Sequence, residues 1–277
     1  MHSYRLTTLT LQNGLWNTTE MRTLIYTCNF GRYEEFADHK YEIDSSTDCV
    51  VFTDDPGLQS RNWNIVTVPP RFATDSIRDS RFHKIMGPSL FREYDKSLYL
   101  DNCVLLKECP LNILEIFLNG GDIGLASHSY RANVLSEFHE VLELGLDDSA
   151  RVIEQLLSYE QVASDVLYER PYWCGIIARR HNRQVSEVML RWWEEVLRYA
   201  RRDQLSINRV LRDSNLSVNR VLIDNFESCY HKWPLNLQRK TSVRNQDLLA
   251  EVFSGSQLGK VAKAENNAGK LASGFRG

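Results

Sequence analysis

Asp101 closes the apolar run SLYLD, the most strand-like stretch of the chain. Ligands of open α/β sheets lie outside the carboxyl ends of the strands, so a carboxylate at that position can hold a divalent cation, or can simply cap the next turn. Just upstream, Arg78, Arg81 and Lys84 recur at every third residue of a helical pattern. At 100° per residue they span an arc of about 120°, narrow enough to converge on phosphate oxygens, although cations on one helix face are also commonly just solvated. The segment carrying them runs directly into the Asp101 strand.

Two further acidic positions follow the same logic. Asp54-Asp55 ends the run CVVFT and can meet a ribose or base, or can start a turn with Pro56-Gly57. Arg201-Arg202-Asp203-Gln204 opens a helix, where a carboxylate and an amide can cap orphan amides or hydrogen-bond a hydroxylated substrate. His128 follows the run DIGLAS, and His231 precedes Lys232-Trp233-Pro234, so both sit at element ends, where a ligand role is open to them. No HExxH, GxSxG, GxxxxGK[ST] or GxGxxG spacing occurs, which removes zincin, serine-hydrolase, P-loop and Rossmann-fingerprint sites by motif.

These residues need a scaffold, and the pattern predicts an α/β one. TLIYTCNFG, CVVFTDD and NWNIVTVPP read as strands, with a short helical piece over YEEFADH between the first two. A helix from Ser76 is expected to break at Gly87-Pro88 before the central strand SLYLDNCVLL. A helix over Leu111 to Leu118, the strand DIGLAS, and helices over Asn133 to Leu144 and Asp148 to Val162 follow, then WCGIIA, a helix over Ser186 to Ala200 and a last strand VLIDNF. The second half is the more helical. Trp192 and Trp193 point about 100° apart on their helix, one into the core and the other toward an interface or a sugar. Residues 1–21 read as an irregular lead-in, and 241–277 as a polar, partly disordered tail.

The 277 residues carry 33 basic and 36 acidic side chains, a formal net charge of −3, so no chain-wide positive field exists to draw nucleic acid or a membrane surface. Apolar runs fall short of the roughly 20 residues a spanning helix needs, and the start lacks a signal-peptide pattern, so a cytoplasmic location is expected. Six cysteines without a CxxC pair argue against structural zinc and a disulfide framework.

Taken in order, TLIYTCNFGRYEEF, CVVFTDD, RDSRFHKIMGPSLFREYDKSLYLDNCVLL, DIGLASHSYR and WWEEVLRYARRDQLSINRVL resemble the TOD/MUCI-type glycosyltransferase-like domain family over about residues 22 to 240. That family is similar to nucleotide-sugar glycosyltransferases of the GT-A fold. The resemblance implies a single Rossmann-like α/β domain with a mixed sheet flanked by helices. It also implies that Thr27, Asn29, Tyr33, Asp54 and Asn102 face the donor nucleotide, and that Arg78, Arg81 and Lys84 lie near its pyrophosphate. Asp101 would take the first position of a DxD metal motif, with His231 completing a shell for Mn²⁺ or Mg²⁺. Cys103 stands where the second aspartate of that motif would be.

The activity this implies is transfer of a sugar from a nucleoside-diphosphate sugar to a hydroxyl of a glycan or other acceptor. Asp101 and Asp203 would be the catalytic carboxylates, Asp203 as base, while Gln204, His128 and Arg131 would line the sugar and acceptor side. Two alternatives stay open from the residues alone. One is a hydrolase using the same carboxylates on a glycosidic or amide bond. The other is a carbohydrate- or nucleotide-binding module without turnover, suggested by Cys103.

Overall fold

The computed structural model describes residues 21–235. The lead-in expected over 1–21, Met21 aside, and the tail expected over 241–277 lie outside the described residues. The architecture is mixed α/β: one seven-stranded mixed sheet flanked by helices. Its strands are β1 (Thr23–Asn29), β2 (Thr47–Thr53), β3 (Asn64–Thr67), β4 (Lys96–Leu100), β6 (Ile123–Ser127), β7 (Tyr172–Arg180) and β8 (Val218–Val221), in the order β3-β2-β1-β4-β7-β6-β8. A short pair, β5 (Leu105–Leu106) with β9 (His231–Lys232), stands apart. The expected central strand is β4, buried at all five positions, as a strand covered on both faces must be.

Strands β3, β2, β1 and β4 are parallel; β7 is antiparallel to β4 and to β6. The carboxyl ends of β1, β4 and β6 therefore meet the amino end of β7 at one edge. Between Leu125 and Ala126 the β6–β7 register shifts.

Three helices, α1 (Ser76–Leu90), α5 (Arg183–Arg198) and α6 (Ile207–Arg212), pack on one face around Tyr26, Ile85, Val188 and Trp192, while α2 (Pro110–Leu118) covers the other with Ile113, Phe117 and Leu118. A separate apolar cluster joins α3 (Val134–Glu143) to α4 (Ser149–Val162). Both tryptophans of the adjacent pair are buried, Trp193 against Phe72 and Phe82, so neither is left for a sugar. No helix among the described residues is long and apolar enough to cross a membrane.

The last long-sheet strand ends at Val221, so the expected strand VLIDNF keeps only its first residue, and two further expectations fail for local reasons. Helix α1 passes through Gly87-Pro88 instead of breaking there. Pro88 has no N–H for the Lys84 carbonyl, and an unpaired buried carbonyl is costly. Here Tyr26 Oη and Arg179 Nη2 donate to that carbonyl at 2.7 and 2.9 Å, and Arg179 Nη1 donates to the Ile85 carbonyl at 3.0 Å. The fully buried Arg179 and Tyr26 thus replace the missing helical bond. The helix predicted over YEEFADH is irregular chain. Asn102 holds it in that form, accepting from the Ala37 amide at 2.9 Å and donating to the Glu35 carbonyl at 2.7 Å and Glu34 Oε1 at 2.9 Å.

Candidate active site

The converging strand ends open onto a cavity of about 780 Å³, within the range of ligand pockets. Strand β1 delivers Asn29, β4 delivers Asp101, and His128 follows β6, while Trp173 enters from β7. Ile77, Ser80, Arg81 and Lys84 reach it from one face of α1, at the spacing that stacks side chains on a helix. The approach of α1 to the end of β1 depends on Gly31, whose φ is +67° and where a Cβ would overlap Ser76. The Asp54 carboxylate fixes that turn by accepting from the Gly31 amide at 2.8 and 3.1 Å.

At the base of the cavity lies a four-residue charge cluster. Lys84 Nζ is 2.6 Å from Asp203 Oδ2 and 3.2 Å from Asp101 Oδ1, and Arg81 Nε is 3.2 Å from Asp203 Oδ1. Tyr99 Oη also donates to Asp101 Oδ1, at 2.8 Å, and its ring centroid lies 4.9 Å from the ammonium. Burial alone would raise the Asp203 carboxyl, but the charges of Arg81 and Lys84 outweigh it and hold the group well below the usual carboxylate range. Burial alone would likewise lower Lys84, yet Asp101 and Asp203 keep it above its ordinary value. The lysine stays charged. Of the two roles open to Asp203 in the sequence, helix cap or ligand contact, the cap is not formed: it opens a 3₁₀ turn over Asp203–Leu205 and its carboxylate faces cations.

On the α3 side, Glu137 sits in the first turn behind the Asn133 cap, nearly fully buried. Its Oε2 accepts from Arg131 Nε at 3.2 Å and lies 3.8 Å from His128 Nε2. Burial raises the Glu137 carboxyl, with Arg202 and Arg131 offsetting part of the effect. His128 is pushed down to about 3 by burial and by the charges of Arg131, Arg170 and Arg202, so it is neutral at physiological pH. Its Nδ1 is buried without a hydrogen-bond partner among the described residues.

Of the residues expected from sequence, Asn29, Tyr33, Arg81, Lys84, Asp101, Asn102, His128, Arg131, Asp203 and Gln204 line this cavity. Four do not. Thr27 is buried within β1, and Asp54 serves the Gly31 turn. Arg78 turns away to Asp75 Oδ2 at 3.1 Å and the Tyr199 carbonyl at 3.3 Å. His231 is buried on β9, its Nδ1 2.9 Å from Ser228 Oγ and its Nε2 2.9 Å from the Asn225 carbonyl, with both ring nitrogens taken up by the fold. Sequence reading missed Glu137, Glu140, Tyr130 and Arg202. The signal for Glu137 was its place one turn into the helix that follows the β6 end, six residues after Arg131.

The donor set does not suit a divalent metal. Asp101 and Asp203 already hold the Lys84 ammonium, Cys103 is buried where a second aspartate would stand, and His231 is engaged elsewhere. Among the described residues no three His, Cys, Asp or Glu side chains gather as a metal site.

The charged cavity lies at the carboxyl edge of the sheet, the side on which open α/β sheets hold their ligands. The chain belongs to the TOD1/MUCI70 glycosyltransferase-like domain family, whose profile matches residues 33–239. A similar protein is the probable hexosyltransferase MUCI70 of Arabidopsis thaliana, 26% identical over 177 residues, which are 60% of this chain and 30% of that protein. The chain thus spans under a third of that relative's length. Among solved structures, an apo structure of the bifunctional glycosyltransferase WbbM aligns with a TM-score of 0.41 at 16% identity, over 73% of this chain and 39% of that one.

Proposed function

We propose that the domain is a glycosyltransferase of GT-A type that moves a sugar from a nucleoside-diphosphate sugar to a hydroxyl of a glycan or other acceptor. The observation that carries this reading is the Arg81–Lys84–Asp101–Asp203 charge cluster, with Lys84 and Asp203 buried, beneath a cavity at the carboxyl edge of the sheet. It is supported by membership of a glycosyltransferase-like family.

Asn29, Tyr33 and Asp101 face the donor, and Gln204, His128 and Arg131 the sugar and acceptor. Asn102 acts on the donor side by fixing the loop that carries Glu34 and Glu35. Asp203 is a positioning residue. A carboxylate held ionised by two cations has little affinity for a proton, so it sets Arg81 and Lys84 in place and is a poor base. Glu137 is the better base: a buried carboxyl with raised proton affinity, bordering the cavity beside neutral His128. In the transfer step the acceptor oxygen bonds to the anomeric carbon and its proton passes to Glu137, while the bond from that carbon to the diphosphate breaks and its electron pair leaves with the diphosphate.

The hydrolase alternative relied on Asp101 and Asp203 as an acid–base pair. Asp203, held ionised by Arg81 and Lys84, cannot be the protonated acid that glycoside hydrolysis needs.

Ligand binding to the folded state alone raises its melting temperature. Thermal unfolding with UDP, GDP, CDP or ADP, and separately with neutral oligosaccharides, tests the reading. A shift with one diphosphate is expected. A shift with oligosaccharides and none with any diphosphate would overturn it.

A further inference from the structure

Five cationic side chains line the cavity among the described residues, and four are held by carboxylates. Arg81 and Lys84 face Asp203 and Asp101, Arg131 pairs with Glu137 and Glu140, and Arg201 pairs with Asp75 and Asp147. Arg202 is the exception: its side chain forms no ion pair or hydrogen bond with any described residue, and its Nε is buried without a partner. Its charge is nonetheless felt at the site, since it lowers the proton affinity of Asp203, Glu137 and His128. A guanidinium stays charged in any protein site and offers a planar fork that matches phosphate oxygens. Buried donors of native proteins are normally satisfied, so an unfilled fork on a cavity wall points to an anion supplied from outside the chain.

A second observation bears on what neutralises that anion. Asp101 Oδ1 faces the Lys84 ammonium, which is itself almost fully buried and shared with Asp203. Cys103, at the neighbouring acidic position of a DxD motif, is 2% exposed and supplies no carboxylate. The chain itself thus supplies a cation beside Asp101 Oδ1.

Resting on the glycosyltransferase reading, we propose that the donor diphosphate is received by Arg202 without a divalent metal, Lys84 taking the place beside Asp101 that a metal would otherwise occupy. As the bond from the anomeric carbon to the diphosphate breaks, the electron pair and its charge pass to the departing oxygen, and the Arg202 N–H donors meet that charge. The acceptor oxygen forms the new bond and its proton goes to Glu137, so the transfer balances without a metal-bound species.

The test is calorimetric titration of the full chain with UDP, GDP, CDP and ADP, each in Mn²⁺ and again in EDTA, on wild type, Arg202→Gln and Arg202→Lys. One diphosphate is expected to bind with a Kd equal within about twofold in the two conditions. Arg202→Gln should weaken that binding about tenfold or more, the loss expected when a charge-assisted contact is removed, and Arg202→Lys should recover part of it. Because the Arg202 side chain holds no described residue, these variants should melt where wild type does, which separates lost binding from lost folding. Binding that requires Mn²⁺, or Arg202→Gln binding like wild type, overturns this proposal and leaves the transferase reading intact. Absence of binding by all four diphosphates in both conditions overturns both.

Discussion

The Lys84 ammonium lies 2.6 Å from Asp203 Oδ2, and both side chains are almost fully buried. This contact joins helix α1 to the turn before α6 across the base of the cavity, so the fold and the site share it. A buried pair contributes little net stability, yet removing one partner strands the other charge and costs about 3–5 kcal/mol. Lys84→Met should therefore destabilise the domain by that order, and removing the whole pair with Lys84→Met/Asp203→Leu should recover part of the loss. Denaturant unfolding of the single and double variants measures both.

Glu137 must be ionised to take a proton, and its folded pKa is raised above the ordinary 4.5. Turnover should accordingly fall as the pH drops through that raised value and should hold on the alkaline side. Glu137→Gln should lower kcat by about 10²–10⁴, the usual worth of a general base, while diphosphate binding stays within a few-fold of wild type. A pH–rate profile of wild type, with kcat and Kd of the variant, checks this; an unchanged kcat would remove Glu137 from the chemistry.

Much of this arrangement was legible in the sequence. Period and apolar runs located β1, β2, β4, β6 and β7, and Asp101 was recognisable from its place just past the central strand. Arg81 and Lys84 were legible too, because helical spacing alone puts them on one face. Arg78 shares that spacing but is captured by Asp75, three residues before it, and by the Tyr199 carbonyl, which lies far away in sequence. The same holds for Gly87-Pro88, which reads as a helix break until Tyr26 and Arg179 are seen supplying the missing donors. Glu137 and Arg202 were hidden because burial and the presence or absence of a charge partner, the properties that single them out, exist only once the chain is folded.

Gly87 faces Tyr26 so closely that a Cβ would overlap its hydroxyl. Gly87→Ala must push Tyr26 away from the Lys84 carbonyl it satisfies, an overpacking expected to cost about 1–3 kcal/mol. The opposite outcome, the gain in stability that Gly→Ala brings in an unhindered helix, would show that the Tyr26 contact does not hold α1. Thermal melts of the variant decide between them.

Two buried histidines make stability pH-dependent. Burial pushes His83 down to about 4 and His128 down to about 3, against 6.5 for an unfolded histidine. Below pH 6.5 the unfolded chain takes up protons that the folded chain refuses, so stability falls as the pH drops from 6.5 toward 4. Each histidine contributes up to about 1.4 kcal/mol per pH unit in that window. Urea unfolding at neutral pH and at pH near 5 should show the decline, and a His83→Phe variant, which keeps ring packing against Phe30 and Phe52, should flatten it.

The central claim is sugar transfer from a nucleoside-diphosphate donor, and the most direct measurement is release of nucleoside diphosphate from a panel of UDP-, GDP-, CDP- and ADP-sugars, with and without oligosaccharide acceptors. Release is predicted from one nucleotide class, accelerated by acceptor, matched mole for mole by extended oligosaccharide and slowed about 10²–10⁴-fold in Glu137→Gln. Free sugar liberated from oligosaccharides with no nucleotide present, or no diphosphate released from any donor in the panel, would contradict the claim.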